Sequence, residues 1–335
     1  MSESTPFARP AAPAPAPATG AVTAPLQPAG AAAPAAPPAA LEPLTRGRAV
    51  RPAEGFWIGS LRRLLRNKVA MAALAGLLVL TIASFSAPVI AQWRGLSRDA
   101  MELTSNYQRP NAVNWFGTDE YGRDYFIRLL YGGQISILMG LSVMVIILLI
   151  AVPVGLIAGY YGGLVDDIFL WVAQIHASVP TLFVLILVAA WIPPTPASLA
   201  IIIGVFGWLG NARQARGLTI SLKRTDYVLA ARALGASNMR IIFRHIMPNI
   251  ISLMIVLAGF DVIAGILAET GLSYLGLGVR PPIPSWGNML TNSLSYVFRA
   301  PHLVVFPGLA VGAIVLCVYM FADGLRDAFD PRLKE

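Results

Sequence analysis

The chain has 335 residues, 56% of them hydrophobic and 13% charged, with a formal net charge of +8. Soluble domains carry about 25% charged residues, so an ordinary water-soluble globule is excluded. Several weakly charged runs reach the ~20 residues that cross the hydrocarbon of a bilayer, and the basic residues gather beside them, which points to loop topology rather than to nucleic acid. The ten-residue alternating segments of a membrane barrel are absent.

Residues 1–50 are rich in alanine and proline. Proline at that density stops helices, and nothing bulky is present to build a core, so a disordered cytoplasmic tail is expected. It lacks the charged start and unbroken apolar run of a signal peptide. Residues 51–110 read as an interfacial segment, a first span and part of an external loop. EGFWIGSLRRLLR (54–66) suits an amphipathic helix at the membrane surface, with Trp57 and the leucines toward lipid. VAMAALAGLLVLTIASFSAPVIA (69–91) follows as the first span, and its basic flank places the N-terminus in the cytoplasm.

The region 92–133 balances five arginines against five acids, as a non-cytoplasmic loop would. Within it Thr118, Asp119 and Glu120 are suited to open a helix. Further spans are expected over about 134–159, 166–192, 197–211, 250–275 and 301–322. Tyr160-Tyr161-Gly162-Gly163 turns the chain between the second and third, and Pro153 and Pro180 predict kinks. Asp166 and Asp167 complement the start of the third span. Gly204, Gly207 and Gly210 favour close packing of the fourth. Six spans with both termini in the cytoplasm satisfy the charge pattern, and 111–335 forms one transmembrane domain.

The informative loop is 217–249, between the fourth and fifth spans. Lys223, Arg224, Arg232, Arg240 and Arg244 face one acid, Asp226, so the loop belongs to the cytoplasm. Asp226 is placed to cap a short helix in which Tyr227, Ala230, Ala231 and Leu234 share a low apolar face. Gly235 ends that helix, and Ser237 caps a second, in which Ile241, Ile242 and Phe243 face apolar neighbours. A short helix of this kind suits a groove on a partner protein. The plainer reading is an amphipathic loop lying on the bilayer.

Ala230-Ala231-Arg232-Ala233-Leu234-Gly235, with Pro248 thirteen residues beyond the glycine, resembles the coupling loop of permease subunits in bacterial ABC importers. Leu229 stands where that loop usually has glutamate. FGTDEYGRDYFIRLLYGGQISILMG (116–140), RALGASNMRIIFRHIMPN (232–249) and DGLRDAFDPRL (323–333) resemble the C-type subunit of the dipeptide/oligopeptide permease family. The resemblance covers about 110–335. It implies an all-α, six-helix permease of the type I importer fold, paired with a homologous B-type permease. It also implies two cytoplasmic ATPase subunits and an extracytoplasmic solute-binding protein, in the bacterial inner membrane. Tyr227, Ala230, Ala231, Arg232, Leu234, Gly235 and Ala236 would meet the ATPases. The implied cargo is a peptide; a nickel complex, haem or another small solute fits the same architecture. The chain has no G-x-x-x-x-G-K-[ST] phosphate loop, so ATP and Mg would sit on the partner ATPases and this chain would hold no cofactor and catalyse nothing itself.

Asp261 and Glu269 fall on one side of the fifth span and either line the pathway or pair across the two permeases; Glu269 alternatively lies in water at the outer end. His176 reads as a packing histidine, with a proton relay as the alternative. Trp286 either contacts the binding protein or anchors the interface. Cys317 is a small core residue, and the three histidines lack metal-ligand spacing. A secondary transporter, which would show an inverted repeat, and an intramembrane enzyme, which would show a nucleophile or zinc motif, are the rival classes.

Overall fold

The computed structural model describes residues 56–329. The expected N-terminal tail and the last residues of the terminal motif lie outside this range. Thirteen helices follow in order: α1 (Phe56–Arg66), α2 (Lys68–Phe85), α3 (Ala87–Arg94), α4 (Tyr125–Tyr161), α5 (Gly163–Ser178), α6 (Thr181–Trp191), α7 (Pro196–Gly207), α8 (Leu209–Leu222), α9 (Asp226–Ala233), α10 (Asn238–Ile241), α11 (Met247–Tyr274), α12 (Ser293–Tyr296) and α13 (His302–Phe329). No strand occurs among the described residues.

Four helical stretches are long and apolar enough to cross a membrane: α2, α4, α10 through α11, and α13. The bent pair α5–α6 makes a fifth if it counts as one span. Large apolar side chains such as Leu78, Val79, Leu149 and Leu187 are more than half exposed. In water that would be a liability; against lipid tails it is the ordinary outer surface of a bundle.

The sequence explains the breaks. Asn67 accepts from the amides of Val69 and Ala70, at 3.1 Å each, and starts α2. The expected first span does not run straight to residue 91, because Ser86 ends α2 and Pro88 begins α3. Pro180 cannot donate to the preceding turn, so the expected kink is a full break, with α5 and α6 inclined at 81°. The fourth span is also interrupted. α7 covers only 12 residues, and the chain resumes as α8 after Trp208.

The anticipated helix start at Thr118 is corrected. The Asp119 carboxylate accepts from the amides of Tyr121 and Arg123 at 2.9 and 3.0 Å, closing a tight turn instead. Gly122, at φ +73°, completes that turn, where a Cβ would collide with the Glu102 carbonyl oxygen. The cap of α4 is Asp124, which accepts from the Ile127 amide at 2.8 Å.

α4 is the axis of the bundle. At 37 residues it spans ~55 Å at the usual helical rise. Gly155 and Gly159 bring it against Ala212, Ala215 and Thr219 of α8, where an added Cβ would approach those residues within 2.7 Å. Gly204 and Gly207 likewise fit against Ile146 and Ile147, whereas Gly210 faces open space and so has no packing role. Several core regions lie along the axis. One, toward the start of α4, gathers Ile137, Ile266, Trp286, Val311 and Ile314. Another gathers Leu156, Tyr160, Ala215, Val228, Ile241 and Ile250 around the basic loop.

Candidate functional site

The loop anticipated as a docking surface is built as two short helices around a glycine. Thr225, not Asp226, occupies the cap position of α9, and its side chain makes no capping bond; its hydroxyl donates to the Leu222 carbonyl at 2.6 Å. Asp226 instead contributes a negative charge in the first turn, where the helix dipole favours it. Val228 is fully buried and fixes α9 to the core below. Burying such a side chain is worth about 1.5–3 kcal/mol.

The opposite face of α9 is turned outward. Tyr227 is 44% exposed and Leu234 89%, and Ala230, Arg232 and Gly235 are also exposed or partly so, while Ala236 is half-buried. Gly235 takes φ +79°, and a Cβ added there meets nothing within 4 Å. Backbone conformation, not space, therefore calls for glycine. The Gly235 amide donates to Arg232 O at 3.0 Å and the Ala236 amide to Ala231 O at 3.1 Å, satisfying the carbonyls at the helix end. Ser237 accepts from the Arg240 amide at 3.4 Å and starts α10 as expected. A single π-helical turn, Ile242–Ile246, then joins α10 to α11. Ile241, Ile242 and Ile246 are buried, but Phe243 is 56% exposed, contrary to its expected apolar contacts.

Two residues that the sequence pattern did not single out as supports, Tyr160 and Lys223, hold this surface in place, and Arg216 ties α8 to α5 beside it. The Tyr160 hydroxyl donates to Asn238 Oδ1 at 2.8 Å and accepts from Arg232 at 3.4 Å. Lys223 Nζ donates to the Gly159 and Tyr160 carbonyls at 2.7 and 3.3 Å, placing a cation on the unsatisfied end of α4. Arg216 grips Asp166 with two nitrogens, one of them at 2.6 Å. Sequence alone marked Tyr160 only as a turn residue. The available signal was an aromatic donor at the end of a helix next to a basic loop.

Asp261 and Glu269 are not part of this surface. Both are inside α11, at 8% and 0% exposure. Asp261 accepts from Asn211 Nδ2 at 2.6 Å, a partner in the same chain. Glu269 Oε1 accepts from the Ser273 and Ser285 hydroxyls, each at 2.7 Å. Glu269 is therefore not in water, and it holds the 276–300 loop onto α11. Trp286 is corrected on both counts. It is 2% exposed, its amide donates to Ser136 Oγ at 3.0 Å and its indole donates to Leu129 O at 2.9 Å. It is a plug between helices, neither a docking residue nor an interface anchor. His176 lies 3.0 Å from the Phe206 carbonyl and stacks on that ring, as a packing histidine does. Cys317 is half-buried, and its sulfur lies 2.8 Å from a Cβ placed on Gly76.

At the far end of α4 a second polar region is folded in on itself. Asp119 pairs with Arg123 at 2.6 Å and with Arg128 at 3.4 Å, and all three are buried. Burial pushes the Asp124 carboxyl above its ordinary range, against the opposing bond from the Ile127 amide. At the exposed rim the Arg98 guanidinium holds the Asp99 carboxyl below its ordinary range.

A helical bundle with long apolar spans and an exposed basic loop is the frame of a multi-span membrane protein. Residues 151–335 match the family described as the binding-protein-dependent transport system inner membrane component, and residues 55–110 match the N-terminal TM domain of oligopeptide transport permease C. The chain belongs to the binding-protein-dependent transport system inner membrane component family. It is 38% identical over 275 residues to the oligopeptide transport system permease protein OppC of Mycobacterium tuberculosis, covering 81% of this chain and 92% of that protein. To the glutathione transport system permease protein GsiD of Pectobacterium atrosepticum it is 37% identical over 299 residues, covering 87% and 95%. To the dipeptide transport system permease protein DppC of Bacillus subtilis it is 36% identical over 285 residues, covering 85% and 88%. The chain is thus a non-catalytic permease subunit of an ABC importer of the OppC/DppC type, as its motifs implied.

Proposed function

We propose that this chain forms one half of the translocation pathway of an ATP-driven, binding-protein-dependent peptide importer. The other half is a homologous B-type permease. Two cytoplasmic ATPases, which carry ATP and Mg, drive the pair, and an extracytoplasmic binding protein supplies the cargo. The oligopeptide, dipeptide and glutathione transport for which the relatives are named supports a peptide cargo.

In this reading six crossings are made by α2, α4, α5–α6, α7–α8, α11 and α13, with both termini in the cytoplasm of a bacterial inner membrane. Lys and Arg beside α2 and in 217–249 support that orientation. The face of Tyr227, Ala230, Ala231 and Leu234 enters a groove on an ATPase. The observation that carries this is Leu234, 89% exposed at the tip of α9 on a basic loop that also exposes Leu229 and Met239. A bare leucine beside a left-handed glycine gains little in water and much in an apolar groove.

ATP enters as a difference in free energy between two arrangements of the bundle. Closure of the ATPases pulls α9. Val228 and the Tyr160–Asn238 bond pass the displacement to α4 and α11. The test is a cysteine at Ala231, on a Cys317→Ser background, crosslinked in the assembled complex and coupled to labelled-peptide uptake in proteoliposomes. Adducts with an ATPase and ATP-dependent peptide uptake are expected. Adducts confined to lipid, or uptake that persists without ATP, would overturn the reading.

A further inference from the structure

At the start of α4 a cavity of about 300 Å³ lies between the 119–128 segment and the 276–296 loop. Asp119, Glu120, Arg123, Arg128, Arg280 and Asn292 line it. Its far wall is tied down. Asn288 Nδ2 donates to the Val279 and Ile283 carbonyls at 3.0 and 2.7 Å, and the Thr291 hydroxyl donates to the Ser273 carbonyl at 3.0 Å. The Tyr125 hydroxyl donates to the Leu303 carbonyl at 2.7 Å. The volume is at the small end of ligand sites, with room for a side chain rather than for an oligopeptide.

The acceptors here are used up, but the donors are not. The Asp119 carboxylate is shared by two amides and by Arg123 and Arg128. Glu120 makes no ion pair with an arginine among the described residues; its carboxylate accepts from the Tyr296 hydroxyl. Arg128 is 5% exposed, and its one ion-pair partner is Asp119, which lies 3.4 Å from its Nε. Neither terminal nitrogen of Arg128 donates to an acceptor among the described residues. Nη1 is sealed without a partner, while Nη2 is not sealed and is left to meet an entering group. A buried guanidinium with idle donors costs free energy that a further acceptor recovers. Arg280 is exposed at the mouth, with no ion pair or hydrogen bond among the described residues. Two guanidinium groups with free donors at one small opening select an anion, and their fork matches a carboxylate.

The rim indicates the source of that carboxylate. Asn292 and Tyr296 line the cavity beside and on α12. The same short helix carries Leu294, 77% exposed, and Phe298, 95% exposed, follows it. Bare apolar side chains beside a charged socket are the make-up of a protein interface. We propose that this cavity is a docking socket for a side-chain carboxylate of the extracytoplasmic binding protein, held by Arg128 and Arg280 with Leu294 and Phe298 packing beside it. The assignment rests on the importer reading above, which supplies that partner and puts this end of α4 outside.

The experiment uses the complete importer in nanodiscs with its own peptide-loaded binding protein, and reads Kd with the association and dissociation rates. Arg280 is exposed, so its variants assemble as the unaltered importer does. Arg280→Glu raises Kd about tenfold, mainly through slower association, and added salt shrinks the effect. Arg128→Lys keeps a cation beside Asp119 but loses the fork, and speeds dissociation about tenfold. A benzophenone-labelled cysteine at Asn292, on a Cys317→Ser background, locates the group opposite. The adduct falls beside an aspartate or glutamate of the binding protein, and exchanging that residue for arginine restores binding to the Arg280→Glu importer. Such recovery separates a charge contact from misfolding. A Kd indifferent to both Arg280→Glu and Arg128→Lys overturns the socket, as do adducts confined to lipid. A C-terminally amidated peptide transported less than its free form by the unaltered importer, but equally by the Arg280→Glu importer with an unchanged Kd, assigns the cavity to cargo and overturns the docking role. ATP-driven uptake that requires the binding protein is measured with the unaltered importer in proteoliposomes. If that uptake is absent, the importer reading itself fails; if it is present while Kd ignores the substitutions, only the socket fails.

Discussion

The two ends of α4 solve opposite problems with similar material. Around residues 103–124 and 276–300 the polar groups are paired inside the subunit: Asp119 with Arg123 and Arg128, Glu269 with Ser273 and Ser285, Trp286 with Ser136 and Leu129. Around 223–240 the fixed contacts are fewer, and the apolar side chains of Tyr227 and Leu234 stand in the open. The first end also exposes Leu294 and Phe298, so the contrast lies in its buried ion pairs and hydrogen bonds. In the proposed reading an ATPase completes the 223–240 surface. Stability should therefore reside in the first and assembly in the second.

Trp286→Ala attacks the contrast hardest. It removes a fully buried indole and its bond to Leu129, at a cost of about 3–5 kcal/mol. Thermal unfolding of the purified subunit in detergent should show the largest drop of any substitution considered. Asp119→Asn is next. It leaves Arg123 and Arg128 buried beside each other without their anion, worth about 3 kcal/mol. An unchanged melting temperature there would mean that the outer end is not the stable half.

Gly235→Ala should cost only about 1 kcal/mol, from the left-handed backbone, since no atom obstructs the new methyl. Its uncoupling should exceed what so small a loss explains, read as ATPase activity no longer stimulated by the loaded binding protein. Ala231→Trp and Leu234→Ser should leave stability within about 0.5 kcal/mol. Both should reduce the fraction of subunit recovered with its ATPases on size exclusion by about tenfold. Stability losses at Leu234 as large as those at Asp119 would erase the distinction between the two ends.

Much of this division was legible from local pattern. The i, i+3, i+4 spacing of Tyr227, Ala230, Ala231 and Leu234, the glycine at 235 and the capping Ser237 define α9 and α10 within short range, so they read correctly. Asp226 was misassigned by one position because Thr225 and Asp226 are both suitable capping residues, and only the backbone angles separate them. Thr118–Glu120 carried helix-start chemistry, yet a turn won. The Asp119 carboxylate bonds amides two and four residues on, and Gly122 lets the chain fold back against Glu102. The break at Pro180 was signalled, but its 81° angle was not, because neighbouring helices set how far a broken span bends.

Composition and the order of apolar and basic runs were enough to determine a multi-span helical membrane protein, and the motifs at 116–140, 230–248 and 323–333 carried the family resemblance. Those properties arise from hydrophobic length, charge next to spans and contacts within one or two helical turns. The burial of Trp286, the Glu269 clip, the Tyr160 support and the Asn211–Asp261 pair had to await the folded chain. Each joins residues 16 to 157 positions apart, and such meetings depend on how α4, α8 and α11 cross rather than on any local pattern.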